Sequence, residues 1–93
     1  MKKVIFDFDT IGNINDFYKI AQQKLELPPD FGNNLDALWD SITGYIQLPV
    51  SIDFVNLKMQ QLEQFDELIG VFEDALDSFD EAQFDFKYFL RND

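Results

Sequence analysis

The stretch Pro28–Tyr45, which reads PPDFGNNLDALWDSITGY, contains the signals that decide the fold of this chain. Gly32, Asn33 and Asn34 predict a turn, and either asparagine can cap the helix that follows, because asparagine is favoured at this position. Apolar residues then recur at the spacing i, i+3, i+4, i+7, which is typical of one buried helix face. They are Leu35, Leu38, Trp39 and Ile42.

The two acids of this predicted helix lie along the edge of its apolar face. Asp36 and Asp40 are four residues apart, so both carboxylates point to the same side of the helix. Thr43 and Gly44 are predicted to end the helix, with Gly44 in the left-handed conformation that glycine often adopts there. The helix therefore has an apolar inner face and an acidic outer edge.

The segments on either side predict strands that alternate with helices. Strands are predicted at Val4–Phe8, at Val50–Phe54 and from Phe84 to Leu90. A helix capped by Asn15 and ended by the two prolines at 28 and 29 follows the first strand. After the second strand, residues 56–63 predict a short helix or an irregular crossover. A stripe of apolar residues then predicts a last helix: Leu68, Phe72, Ala75, Leu76 and Phe79.

Strands that alternate with helices imply right-handed crossovers and parallel pairing. We therefore predict the α/β class, with a small three-stranded parallel sheet and packed helices. The 93 residues are enough for one modest core, and no linker or repeat interrupts them. One domain over residues 1–93 is expected.

The composition limits the chemistry that the chain can perform. There are 18 acids against 7 bases, a formal net charge of -11, and neither cysteine nor histidine. Disulfides and thiolate chemistry are excluded, and the commonest general base and zinc ligand are missing. Such a negative charge repels nucleic acid and anionic membranes and speeds encounter with a basic partner. The alternative is that the acidity only keeps the protein soluble.

Three motifs suggest enzyme or metal chemistry, and each is incomplete. The run Asp7-Phe8-Asp9-Thr10 resembles the first motif of haloacid-dehalogenase-type phosphatases, but the chain is too short for the other motifs. Asp7, Asp9 and Gly12 resemble the start of a calcium loop, whose later ligands are absent. Asp36 and Asp40 could form a glycosidase pair, but so small a domain has little depth for a cleft. We predict no catalytic residue, cofactor or metal.

The run from Gly32 to Tyr45 resembles the barstar family, the intracellular inhibitors of secreted microbial ribonucleases. The matching pattern is G-x-N-L-D-A-L-W-D-x-L-T-G-[WY], which combines the helix cap, the apolar stripe and the acids. The resemblance extends more weakly over the whole chain. It implies a three-stranded parallel sheet with helices packed around it.

The resemblance also implies roles for individual residues. In the family, the matching helix and the loop before it plug the ribonuclease active site. Asp40 would take the place of a substrate phosphate, Asp36 would pair with basic groups at the rim, and Asp74 would add a further charge pair on the last helix. The predicted partner-binding residues are Asp30, Phe31, Asn34, Asp36, Trp39, Asp40, Thr43, Gly44, Tyr45 and Asp74.

Some residues depart from the family pattern. Asp30 stands where members often carry an aromatic residue, Tyr45 replaces a common tryptophan, and Asp74 is one methylene shorter than the usual glutamate.

The expected partner is a basic extracellular or toxin ribonuclease in a 1:1 complex. The chain itself is expected to be a cytoplasmic bacterial immunity protein, or antitoxin, and a monomer when alone. The alternative is an acidic interaction module or antidote for a different basic partner.

Overall fold

The computed structural model describes residues 1–91, in which strands and helices alternate along the chain. The strands are β1 (Lys2–Asp7), β2 (Val50–Leu57) and β3 (Phe84–Leu90). The helices are α1 (Ile14–Lys24), α2 (Leu35–Gly44), α3 (Met59–Gln64) and α4 (Asp66–Ser78). Residues 56–63, which were predicted as a short helix or an irregular crossover, contain the end of β2 and most of α3.

The three strands form one parallel sheet in the order β1-β2-β3. Phe6 of β1 lies opposite Phe54 of β2, which lies opposite Tyr88 of β3. The predicted α/β class and three-stranded parallel sheet are confirmed. Among residues 1–91, the helices are all too short or too polar to cross a bilayer.

Aromatic side chains form the core between the sheet and the helices. Phe6 and Phe54 of the sheet are fully buried, and so are Phe17 of α1 and Phe72 of α4. The ring centroids of Phe17 lie 4.7 Å from Phe6 and 6.1 Å from Phe72. These contacts hold α1 and α4 against the same face of the sheet.

The ends of α1 differ from the predicted ones. Asn13, not Asn15, is the N-cap, because its side chain accepts a hydrogen bond from the backbone N–H of Asp16 at 2.9 Å. The helix ends at Lys24, before the two prolines. Its end is set instead by Glu26, whose φ of 53° lies in the left-handed region.

The acidic motif that follows β1 is tied into the end of the sheet. Oδ1 of Asp7 accepts hydrogen bonds from Nδ2 of Asn56 and from the backbone N–H of Asp9, both at 3.0 Å. These bonds lower the pKa of Asp7 below the ordinary aspartate value of 3.8, and the bond from Asn56 has the larger effect of the two. Arg91 forms an ion pair with Asp9. These carboxylates therefore connect the ends of the strands.

Asp7→Asn is expected to lower the free energy of unfolding at pH 7 by about 1–2 kcal/mol, because a charged acceptor is lost. Since folding lowers the pKa of Asp7, its contribution is complete above pH 3.8 and disappears as the pH falls through the folded value. Urea denaturation in steps from pH 7 to pH 2.5 should show wild type losing stability more steeply than Asp7→Asn below about pH 4.

Asp85→Asn is the matched control, because the Asp85 carboxylate lies 3.8 Å from Lys87 in a partly exposed pair. It should change the stability by less than about 0.5 kcal/mol. An equal loss in both variants at pH 7 would contradict the role given to Asp7.

Candidate protein-binding surface

The turn before α2 is held by the cap residue of the helix. Oδ1 of Asn34 accepts a hydrogen bond from the backbone N–H of Ala37 at 2.7 Å, and its Nδ2 donates to the carbonyl of Gly32 at 3.2 Å. Asn33 has a left-handed φ of 51°. A Cβ on Gly32 would lie 3.2 Å from Nδ2 of Asn34 and 3.3 Å from Cβ of Ala37, so a side chain there would crowd the cap. The predicted asparagine cap is confirmed and is Asn34.

The loop before this turn is anchored on α1. The buried ring of Phe31 packs on the ring of Tyr18 with centroids 5.8 Å apart. Nε2 of Gln22 donates to the carbonyl of Pro28 at 3.0 Å, and the same carbonyl accepts the Phe31 N–H. Burial raises the pKa of Tyr18. The loop backbone therefore has a fixed path between α1 and α2.

Sequence analysis did not identify Tyr18 and Gln22 as residues that support this loop. Their spacing of four residues on α1 was the available signal, because it places them on one side of the helix. Phe31, a predicted contact residue, has its ring in the core. What it can offer to a partner is mainly its backbone.

The inner face of α2 is buried and its outer edge is exposed. Leu38 and Ile42 are fully buried, and Trp39 is half-buried at the border. Asp36 and Asp40 are both exposed. Because packing fixes the inner face, the two carboxylates are presented on an element that cannot rotate. Asp30, in the preceding loop, is also exposed.

The end of α2 differs from the predicted one. Gly44 is the last helical residue and does not have a positive φ, so the prediction of a left-handed glycine was wrong. The helix closes when the Tyr45 N–H donates to the carbonyl of Ser41 at 2.9 Å, with Tyr45 at an ordinary φ of -125°. The hydroxyl of Thr43 donates to the carbonyl of Trp39 at 2.8 Å. Tyr45 is 55% exposed.

No neighbour inside the molecule explains the glycine at position 44. A Cβ added there would meet nothing within 4 Å. The fold therefore has room for a side chain at this position, although the residue there is glycine.

The carboxylates of α2 have no cationic neighbours along the chain. The sequence contains no lysine or arginine from Leu25 to Leu57 or from Met59 to Phe86. Within residues 1–91, the ion pairs within 4 Å use other carboxylates: Asp9, Glu26, Asp53 and Asp85. α4, which packs against α2, adds the exposed Asp74. This side of the molecule therefore has a negative potential that a basic surface can complement.

The predicted contact residues lie close together in the fold. Among residues 1–91, no group of three or more acidic side chains is arranged to hold a metal ion. The predicted contacts on α2 and its ends lie along one continuous segment, and Asp74 lies on the neighbouring helix. We refer to residues 28–45 together with Asp74 as the acidic surface.

Comparison with known proteins agrees with this geometry. A family model described as "Barstar (barnase inhibitor)" matches residues 1–91. This chain belongs to the Barstar family. It is also similar to a protein of Bacillus subtilis (strain 168) named "Putative ribonuclease inhibitor YrdF". The two sequences are 34% identical over 88 residues, which cover 94% of this chain and 91% of the relative.

Gly44→Ala is expected to raise the free energy of unfolding by roughly 0.5 kcal/mol, because alanine loses less backbone entropy in a helix. Gly70→Ala in α4 is the matched control, since a Cβ there also meets nothing within 4 Å. Both variants should be at least as stable as wild type in urea denaturation. A loss of stability in Gly44→Ala alone would assign this glycine a role in the fold.

Proposed function

We propose that this protein inhibits a basic ribonuclease by covering its active site with α2 and the loop before it. The observation that carries the proposal is the pair of exposed carboxylates, Asp36 and Asp40, on a capped and packed helix, neither of which forms an ion pair within residues 1–91. Membership of the Barstar family and the name of the Bacillus subtilis relative support it. The inhibitor is not itself an enzyme.

Asp40 is proposed to imitate a substrate phosphate. A ribonuclease binds the phosphates of RNA through cationic side chains, and a carboxylate presents two oxygens that an arginine can bind in a bidentate way. In water the carboxylate gains little from such a pair, whereas an enclosed interface strengthens it. A carboxylate already fixed on a rigid helix loses little further entropy on binding.

Asp36 and Asp74 are proposed to pair with basic groups around the rim of the ribonuclease site. Rim charges act mainly on the rate of association, because they attract the partner before contact. Tyr45 and the half-buried Trp39 add rigid aromatic area of the kind that binding interfaces favour. The polar residues Asn34 and Thr43 lie at the two ends of the same helix.

The partner is proposed to be an extracellular or toxin ribonuclease, bound 1:1 in the cytoplasm. The inhibitor would then act as an immunity protein that protects the cell from the enzyme. Asp30 adds an exposed carboxylate in the loop, where other members often have an aromatic residue. We propose that the cognate enzyme carries a basic rather than an apolar group opposite this position.

A second candidate is an acidic module that binds a different basic protein. It is favoured by the breadth of the negative region, which contains nine acids and no base between Met59 and Phe86. Such a module would depend on total charge more than on any single carboxylate. The two candidates therefore differ in how strongly one aspartate on α2 affects binding.

Asp40→Asn is expected to weaken the complex with a basic microbial ribonuclease such as barnase by at least about 100-fold. Removing one partner of a buried ion pair costs about 3–5 kcal/mol, because the other charge is left unpaired. Binding is measured by titration calorimetry, and inhibition by hydrolysis of a fluorogenic RNA. Asp77→Asn, which removes an exposed acid from α4, is the control and should change the affinity less than about threefold.

Equal losses in these two variants would favour the module that responds to total charge. Full inhibition of the ribonuclease by Asp40→Asn would contradict the phosphate-mimic role. The circular dichroism spectrum of each variant should match that of wild type, because both substitutions are at exposed positions.

Gly44→Ala is expected to weaken the same complex by about 10-fold or more, because an added methyl group would separate the two surfaces. Gly70→Ala should bind like wild type, although it makes the same substitution in a helix. Surface plasmon resonance compares the two dissociation rates. Equal affinities for both variants would place the end of α2 outside the interface.

A further inference from the structure

The outer edge of β1 is blocked by the protein itself. Nζ of Lys24 donates to the outward carbonyl of Ile5 at 2.6 Å. The backbone N–H and the hydroxyl of Thr10 donate to the carbonyl of Asp7 at 3.1 and 2.8 Å. A lysine across a sheet edge is a common device that prevents pairing with another chain.

The outer edge of β3 is open over its second half. Within residues 1–91, β3 pairs only with β2. The N–H of Val50 donates to the carbonyl of Gln83, and the N–H of Arg91 donates to the carbonyl of Leu57. The backbone N–H and C=O groups of the odd-numbered residues of β3 therefore point towards β2. Because backbone groups alternate along a strand, Phe86, Tyr88 and Leu90 direct their N–H and C=O groups outward.

The side chains at this open edge are apolar and accessible. Tyr88, Phe89 and Leu90 are consecutive and are 43%, 49% and 47% exposed. Tyr88 and Leu90 share a face with the buried Phe84 and Phe86, so the helical layer does not cover the end of this face, and Phe89 points to the opposite face. An exposed apolar strand edge is a template for pairing with another strand.

We propose that β3 of a second copy of this chain pairs with this edge in antiparallel orientation, about a twofold axis at Tyr88. In this register Phe86 lies opposite Leu90 of the second copy, and Lys87 lies opposite its Phe89. Asp85 then lies opposite Arg91 of the second copy. The pairing would join two three-stranded sheets into one of six strands.

Charge favours this register over its neighbours. An axis at Lys87 would place the two lysines opposite each other, and an axis at Phe89 would place Lys87 opposite Arg91. In the proposed register Asp85 meets a cation and Lys87 meets an aromatic ring, which attracts it. The side chain of Arg91 is engaged within its own molecule, by Asp9 among others, so its attraction for Asp85 of the second copy is that of a nearby positive charge.

The edge is also the region where two acidic molecules can approach each other. Residues 84–91 carry two bases and one acid, within a chain of net charge -11. The remaining charges of the two copies repel each other, so the dimer should be weak and should strengthen when salt screens them. The proposal therefore expects a monomer in dilute solution. The paired edge shares no residue with the acidic surface.

Sedimentation equilibrium of the full chain from 10 to 500 µM, in 20 and 300 mM sodium chloride, tests the proposal. The expected result is a monomer–dimer equilibrium whose dissociation constant falls several-fold at the higher salt. Leu90→Lys should raise that constant by at least tenfold, because a charge would face the second strand. Met59→Lys is the matched control, since Met59 is 71% exposed and lies outside β3, and it should dimerise like wild type.

Amide exchange provides a readout that is specific to β3. The N–H groups of Tyr88 and Leu90 should exchange more slowly as the protein concentration rises, whereas those of α2 should not change. If Leu90→Lys disturbs the fold, Asp85→Arg replaces it, because two arginines would then lie opposite each other. Monomers at every concentration, or a dimer that neither variant weakens, would overturn the proposal. Neither result depends on whether the chain inhibits a ribonuclease.

Discussion

The burial of Phe54 at the centre of the middle strand is the constraint on which the rest of the fold depends. Its ring lies 4.9–5.6 Å from the rings of five other phenylalanines, which belong to both neighbouring strands, to α1, to α4 and to the residue just after β1. Contacts of this kind are worth about 0.5–1.5 kcal/mol each beyond the area they bury. One side chain therefore couples the three strands to two helices.

The position of α2 follows from this core, although the helix contributes few aromatic groups to it. α4 is fixed on the sheet through Phe72, and α2 packs on α4 through its own apolar face, which includes Leu38 and Ile42. Since the interior is formed largely by other elements, the outer edge of α2 can consist of groups that do nothing for the fold. Within residues 1–91 its carboxylates form no ion pair, so their like-charge repulsion is a cost that the rest of the fold must offset.

The parts of the structure that the sequence predicted are those fixed by local chemistry. The strands follow from β-branched and aromatic runs, and α2 follows from a cap, an apolar stripe and two acids within one short segment. The start of α1 was misplaced because Asn13 and Asn15 are both acceptable caps, and it is the side chain of Asn13 that accepts the cap hydrogen bond from Asp16. The prediction that the prolines at 28 and 29 end α1 was wrong, because the helix already ends at Lys24.

Other features depend on contacts between distant residues and could not be predicted from sequence. The support of the loop by Tyr18 and Gln22 requires that α1 lies beside the loop. The geometry of Gly44 depends on how Tyr45 closes the helix rather than on glycine itself. The bond between Asp7 and Asn56 joins residues 49 positions apart in the chain. Most of the acidic surface lies within one consecutive segment, whereas the place of Asp74 beside it and the edges of the sheet depend on how separate elements pack.

The basic residues are distributed unevenly, so the sheet side and the helix side of the molecule differ in charge. Six of the seven basic residues lie in β1, α1, β3 or directly after β3, and the seventh, Lys58, lies between β2 and α3. At the edge of β1, Nζ of Lys24 donates to the carbonyl of Ile5. Within the sheet, Nζ of Lys3 lies 3.1 Å from Oδ2 of the buried Asp53. Because the bases lie in or beside the strands, in α1 or just before α3, none lies within α2 or α4. The charge asymmetry of the molecule therefore follows from where the bases stand along the chain.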